Sequence, residues 1–280
     1  MDERSGQTVT LTKNEEREVR RRTGLRAAVV FETVRREGEA ELRRPAAALA
    51  FSGLAAGLSM GFSLVATGII RAGLTAAPWR VLLENAGYTL GFLIVVMGRQ
   101  QLFSENTVTA VLPLLDDPNK RQTALRVLRL WAIVLAANLV GVCVFAYVTA
   151  LTDVFPPHVR AAFLQLSAEA IKPTFGTILL RGIFAGWLIA LMVWLLPAAD
   201  ASRVLIVLII TYIVGAAGLS HIIAGSVEVL YGVAVGTISW ATYLLKFLLP
   251  VFIGNVIGGV ALVSLLNYGQ VAPEAVDTGS

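Results

Sequence analysis

The chain has 280 residues, of which 56% are hydrophobic and only 15% charged, with a mean hydropathy of +0.72. Soluble domains carry nearer a quarter charged residues, so this composition excludes an ordinary soluble domain and points to the bilayer. Residues 1–44 hold 11 of the 23 Lys/Arg and 9 of the 19 Asp/Glu, and no basic stripe with interleaved aromatics follows, which argues against a nucleic-acid partner.

Residues 1–44 lack the apolar core and small-residue cleavage site of a signal peptide. Within them, Leu25–Arg44 mixes apolar and charged residues at loosely helical spacing. It reads as a solvated helix, or as one lying along a membrane surface. Six apolar runs follow, near Pro45–Ile70, Glu84–Leu115, Ala124–Leu151, Phe175–Pro197, Val204–Val233 and Ile238–Tyr268. Crossing the hydrocarbon takes about 20 residues, so each run is a candidate span. The second and fifth are too long for one upright helix, and each carries a small or polar interruption. Val204–Leu219 would make only about 24 Å of helix, so both runs read as two half-helices around a bend, the second halves starting at about Asn106 and Ile222. The domain reading is a tail at 1–44, a six-span domain at 45–270 and a tail at 271–280.

The interruptions repeat. Gly98–Ser104 and Gly215–His221 lie 117 residues apart, as do the Asn-x-x-Gly motifs at Asn138 and Asn255. Gly53-x-x-x-Gly57 and Gly182-x-x-x-Gly186 lie 129 apart, the 12-residue difference falling in the longer connection between the first and second runs. Related halves with broken helices are a transporter signature. Three spans per half make the second half enter the membrane inverted. The expected fold is an all-α membrane protein of six transmembrane helices, arranged as an inverted three-plus-three repeat with broken second and fifth helices. The basic tail, with Lys120, Arg121, Arg126 and Arg129, places both termini in the cytoplasm. Cys143 is the single cysteine, so disulfides and cysteine-based metal sites are excluded. No His-Glu-x-x-His or Gly-x-Ser-x-Gly motif occurs in the spans, so no enzyme, cofactor or metal is implied.

Backbone groups freed at a break must be buried or line a pathway. Helix N-termini carry partial positive charge and free N–H donors, so two of them meeting near the midplane favour a small anion. His221 stands at the second break. An imidazole there can lend a proton or a positive field to a weak-acid anion that pays heavily to enter an apolar passage; a core histidine bonded to a neighbouring helix is the structural alternative. Ser104 fits either the passage or the cap of a half-helix. Asn138 and Asn255 fit interhelical hydrogen bonds. Glu228 lies seven residues after His221 on the same helical face. An acidic residue inside a span defaults to a functional hypothesis: a proton path, or an ion pair with Arg99 or Arg181.

Leu102-Phe103-Ser104, His221, Trp131 with Asn138-Leu139-Val140-Gly141, and Pro250–Gly259, in this order on six spans, resemble the formate/nitrite transporter family over residues from about 45 to 268. The resemblance implies an aquaporin-like subunit in a homopentamer of the bacterial inner membrane, passing small monovalent anions or their neutral acids such as formate or nitrite. It implies that His221 is the central pore histidine. Asn255 would hydrogen-bond near it, contributing on the order of 1 kcal/mol. Ser104 takes the place of a hydroxyl residue in the broken loop, and Lys172 that of a vestibule lysine. Leu102, Phe103, Val214 and Leu219 correspond to the apolar constrictions. The chain departs from the family at Ser220, Gly225 and Gly186, where the family has Glu, Asn and Asn. These smaller residues are expected to widen the centre and to shift selectivity toward the neutral acid. An aquaporin-type channel for a neutral solute is the alternative, though neither break contains Asn-Pro-Ala.

Overall fold

The computed structural model describes residues 12–14 and 26–270, and no strand occurs among them. Helix α1 (Ala27–Arg43) precedes the bundle. Its face of Val30, Phe31, Val34 and Leu42 is buried, with the Phe31 ring 6.4 Å from Trp194 and 5.9 Å from Tyr268. A Cβ on Gly38 would collide with the Thr109 carbonyl. The solvated helix expected from sequence is therefore docked on one end of the bundle. Its outer face carries Arg35 and Arg36 on Glu32 at 2.7 and 2.6 Å. The Arg35 hydrogen bond is the main cause holding the Glu32 carboxyl down to about 2.

Among the described residues, helices α2 (Ala46–Gly73), α3 (Arg80–Met97), α6 (Lys120–Leu151), α8 (Phe175–Leu195) and α11 (Thr242–Gln270) are the five long and apolar enough to cross a membrane. Between them lie the short α4 (Phe103–Thr109) and α5 (Leu112–Asp116), α7 (Pro157–Ile171), and the apolar pair α9 (Arg203–Ala216) and α10 (Ile222–Ala234). At 14 and 13 residues, α9 and α10 reach only about 20 Å each. Helix α7 was not legible as an element. Pro157 starts it, and Val159, Ala162, Phe163 and Leu166 pack inward, Phe163 lying 5.3 Å from the Tyr231 ring. Pro250 lacks an N–H inside α11, which runs in wide π-helical turns at Thr242–Leu248 and Ile257–Leu265.

Two helix crossings set the close packing. A Cβ on Gly57 would strike the Asn138 carbonyl where α2 meets α6, and one on Gly186 would stand 2.5 Å from the Asn255 carbonyl where α8 meets α11. Gly186 therefore opens no space at the centre. Neither does Gly225, whose missing Cβ is replaced by the Phe247 ring. The expected widening at these two glycines is corrected on that ground.

The two breaks are built alike. In the first, Gly98 N donates to Ile94 O at 2.8 Å and Gln100 N to Val95 O at 3.0 Å. In the second, Ala217 N donates to Ile213 O at 3.0 Å and Leu219 N to Val214 O at 2.9 Å. Each turn passes through one left-handed residue, Arg99 at φ 49° and Gly218 at φ 61°. Only glycine adopts that conformation freely, so the first break holds Arg99 against its preference. The N-cap positions are Leu102 and His221, 119 residues apart rather than the 117 that matched Ser104 with His221. Accordingly α4 begins at Phe103, and Ser104 sits in its first turn.

A broken helix leaves N–H and C=O groups without partners where no water can serve them. One asparagine satisfies each break. Asn138 Oδ1 accepts from Phe103 N at 2.9 Å, and its Nδ2 donates to Gly53 O at 2.7 Å and Gln101 O at 2.9 Å. Asn255 Oδ1 accepts from Ile222 N at 3.0 Å, and its Nδ2 donates to Gly182 O at 2.9 Å and Ser220 O at 3.0 Å. Both side chains are fully buried. Substituting leucine would strand three buried backbone groups at about 1–3 kcal/mol each, well beyond the single hydrogen bond anticipated from sequence. Asn138→Leu and Asn255→Leu are both expected to abolish a monodisperse peak in size-exclusion chromatography or to lower the unfolding temperature sharply. A wild-type unfolding temperature for either variant would refute the bracing role.

Candidate functional site

His221 caps α10 with its own ring. Nδ1 accepts from Ile223 N at 3.3 Å and Ala224 N at 3.2 Å, doing the work usually given to Ser, Asp or Asn. With Nδ1 accepting, the ring proton is assigned to Nε2, which donates to Ser104 Oγ at 2.6 Å. The Ser104 hydroxyl proton is then left over for another acceptor. Phe92 packs edge-on against the imidazole, centroids 4.8 Å apart. Ser104 and His221 have no exposed surface. Through this one hydrogen bond the first turn of α4 meets the N-terminus of α10, so two positive helix ends converge on a neutral pair.

Apolar groups surround the pair. Leu102, Phe103 and Val214 are fully buried, and the Phe103 ring lies between Trp131 at 5.7 Å and Phe252 at 5.6 Å. Leu219 is half-buried and lines a cavity of about 330 Å³ that ends at His221, on the face of the bundle opposite α1. Ser220 and Glu228 line the same cavity. Asn255 makes no hydrogen bond to the imidazole; it braces the residues on either side of His221.

The cavity wall is charged, which sequence reasoning missed. Buried Arg71 holds buried Glu84 through Nε at 2.9 Å and Nη2 at 2.6 Å, and reaches Glu169 at 2.9 Å. Arg80 approaches Glu84 at 3.4 Å. Arg181 and Glu228 complete the lining charges, and neither has an ion pair among the described residues. The signal available in sequence was the pair of opposite charges at facing ends of the first two spans, 13 residues apart. Arg99 is exposed in its turn and no ion pair joins it to Glu228. Lys172 is exposed at the end of α7, outside the cavity lining. Among the described residues no group of His, Cys, Asp and Glu is placed to hold a metal.

The family described as formate/nitrite transporter matches residues 28–269, which includes α1 as well as the bundle. The chain is 42% identical over 246 residues to the inner membrane protein YfdC of Escherichia coli (strain K12), covering 88% of this chain and 79% of that protein. It is 25% identical over 238 residues to a probable formate transporter of Methanothermobacter thermautotrophicus, covering 79% of this chain and 83% of that protein. A solved pentameric formate channel with formate bound superposes with a TM-score of 0.70 at 18% identity, over 81% of this chain and 98% of that one. A solved FNT family ion channel gives the same score and identity over 87% and 98%. These similarities and the helical bundle with its apolar spans agree: this is a multi-pass membrane protein, and the chain belongs to the formate/nitrite transporter family.

Proposed function

We propose that this chain conducts a small monovalent anion, or its neutral weak acid, of the size of formate or nitrite across the bacterial inner membrane, in a homopentamer in which each subunit has its own passage. The supporting observation is the buried His221–Ser104 pair at the meeting of two helix N-termini. An anion entering the apolar collar of Leu102, Phe103 and Val214 loses its hydration, which costs several kcal/mol or more. The helix ends and the spare Ser104 proton offset part of that cost, and a neutral acid avoids most of it. His221 acts as a neutral donor that orients Ser104: a second proton would have to displace the Ile223 and Ala224 N–H groups from Nδ1. The N-terminal and C-terminal ends lie together on the cytoplasmic side in this reading, because the basic residues gather there.

Two substitutions separate the cap from the donor. His221→Asn retains a side-chain oxygen for the cap but loses the Nε2 proton, so formate flux into proteoliposomes should fall at least tenfold with the oligomer intact. His221→Phe should lose flux and also about 1 kcal/mol of stability with the cap. Wild-type flux in His221→Asn would show that the histidine is packing alone.

Glu228 places a carboxyl on the route to His221, where a negative charge opposes an anion. Glu228→Gln should raise formate uptake severalfold near pH 7 and less near pH 5, where the neutral acid carries more of the flux. An equal effect at both values would set Glu228 outside the route. The assembly is tested by native mass spectrometry, where a mass of five chains is expected and a monomer or tetramer would contradict the pentamer.

A further inference from the structure

The cavity ahead of His221 holds two buried polar atoms with unmet hydrogen bonds. Arg71 is only 6% exposed and spends Nε and Nη2 on Glu84 and Glu169, yet its Nη1 has no partner among the described residues. Thr67, 1% exposed, leaves Oγ1 unbonded as well. The two residues are four apart on α2, hence on one face, and both line the cavity. A buried donor without an acceptor costs about 1–3 kcal/mol, so this face calls for acceptor atoms. Nη1 offers two N–H groups fixed in the guanidinium plane, and Thr67 offers one rotatable O–H. Two oxygens on one small planar ion match that set.

The charges around it set the valence. Arg71 and Arg181 line the cavity with Glu84, Glu169 and Glu228, and Arg80 reaches Glu84 from outside the lining, so the formal charges of the whole group cancel before any ligand enters. One added negative charge is tolerated beside a guanidinium; two would face three carboxylates in a confined space. We infer that Thr67 Oγ1 and Arg71 Nη1 form a binding site for a small monovalent oxyanion, a carboxylate or nitrite, separate from the His221–Ser104 pair. The choice of ligand class rests on the transport reading above; the site itself rests on the two unbonded groups.

Formate is the probe, since its C–H proton reports binding by saturation-transfer NMR on the full chain in nanodiscs. The wild type should give a saturable signal that nitrite displaces and sulfate does not. Thr67→Val, close to isosteric, should weaken formate binding about fivefold, the worth of one hydrogen bond. Arg71→Lys keeps the charge that holds Glu84 but loses the planar fork, and should weaken binding tenfold or more. Wild-type affinity in both Thr67→Val and Arg71→Lys would overturn the site. So would the absence of a saturable signal in the wild type, which would leave water as the only acceptor. Flux measured on the same preparations keeps the two readings apart. Binding without flux counts against transport alone, and flux without binding counts against this site alone.

Discussion

The structure depends on how a helix can be interrupted inside hydrocarbon. Each break frees backbone N–H and C=O groups that lipid cannot satisfy, and a single asparagine side chain answers at each one. Its amide bonds to the first N–H of the following half-helix, to a carbonyl in the break, and to the carbonyl of the first glycine in a Gly-x-x-x-Gly motif. The glycines matter for the same reason. Only backbones brought that close let one short side chain reach three groups on three segments. Packing and polar satisfaction are therefore one device at each crossing, α2 on α6 and α8 on α11.

That device determines what the centre can be. With the breaks held, α4 and α10 end on each other, and the contact between them is the Ser104–His221 hydrogen bond. The two halves meet unequally. The first break is capped by Leu102, which offers no side-chain acceptor, and the second by an imidazole that does. His221 is thus committed on one nitrogen to the fold and on the other to its serine. Under the proposed reading, the histidine is structural and functional at once, and the permeant meets the serine hydroxyl and helix dipoles.

Much of this was legible in the sequence. Hydropathy located the long helices within a few residues, and the repeated Asn and Gly motifs marked both breaks. The register at the breaks did not follow from matching residues, because Ser104 and His221 look equivalent as polar positions while the backbone makes Leu102 and His221 the paired caps. Helix α7 was hidden because its charged and apolar residues resemble a connecting loop, and only its burial against α2 and α10 makes it an element. In the sequence Gly186 and Gly225 read as open space. A missing side chain is filled by whatever approaches, here the Asn255 backbone and the Phe247 ring. The Arg71–Glu84–Glu169 cluster was invisible for another reason. Charges at span ends normally face the headgroups, and a partner 98 residues away in the chain leaves no local pattern.

The distribution of charge along the route is the last consequence. Under the proposed reading, the cavity wall carries Arg71 and Arg181 with Glu84, Glu169 and Glu228, and the His221–Ser104 contact itself is made of dipoles, two helix ends, one hydroxyl and one ring, with the buried Glu105 carboxyl next to Ser104 in α4. A fixed cation at the centre would bind an anion tightly, and conduction requires that the ion leave as readily as it enters. Helix ends give a fraction of an elementary charge each, enough to lower the desolvation cost without forming a trap. Under the proposed reading, full charge in the wide cavity gathers a monovalent ion, and partial charge in the dry collar lets it pass. On this argument the neutral cap made by His221 is what keeps the centre permissive, because a protonated ring there would turn the passage into a binding site.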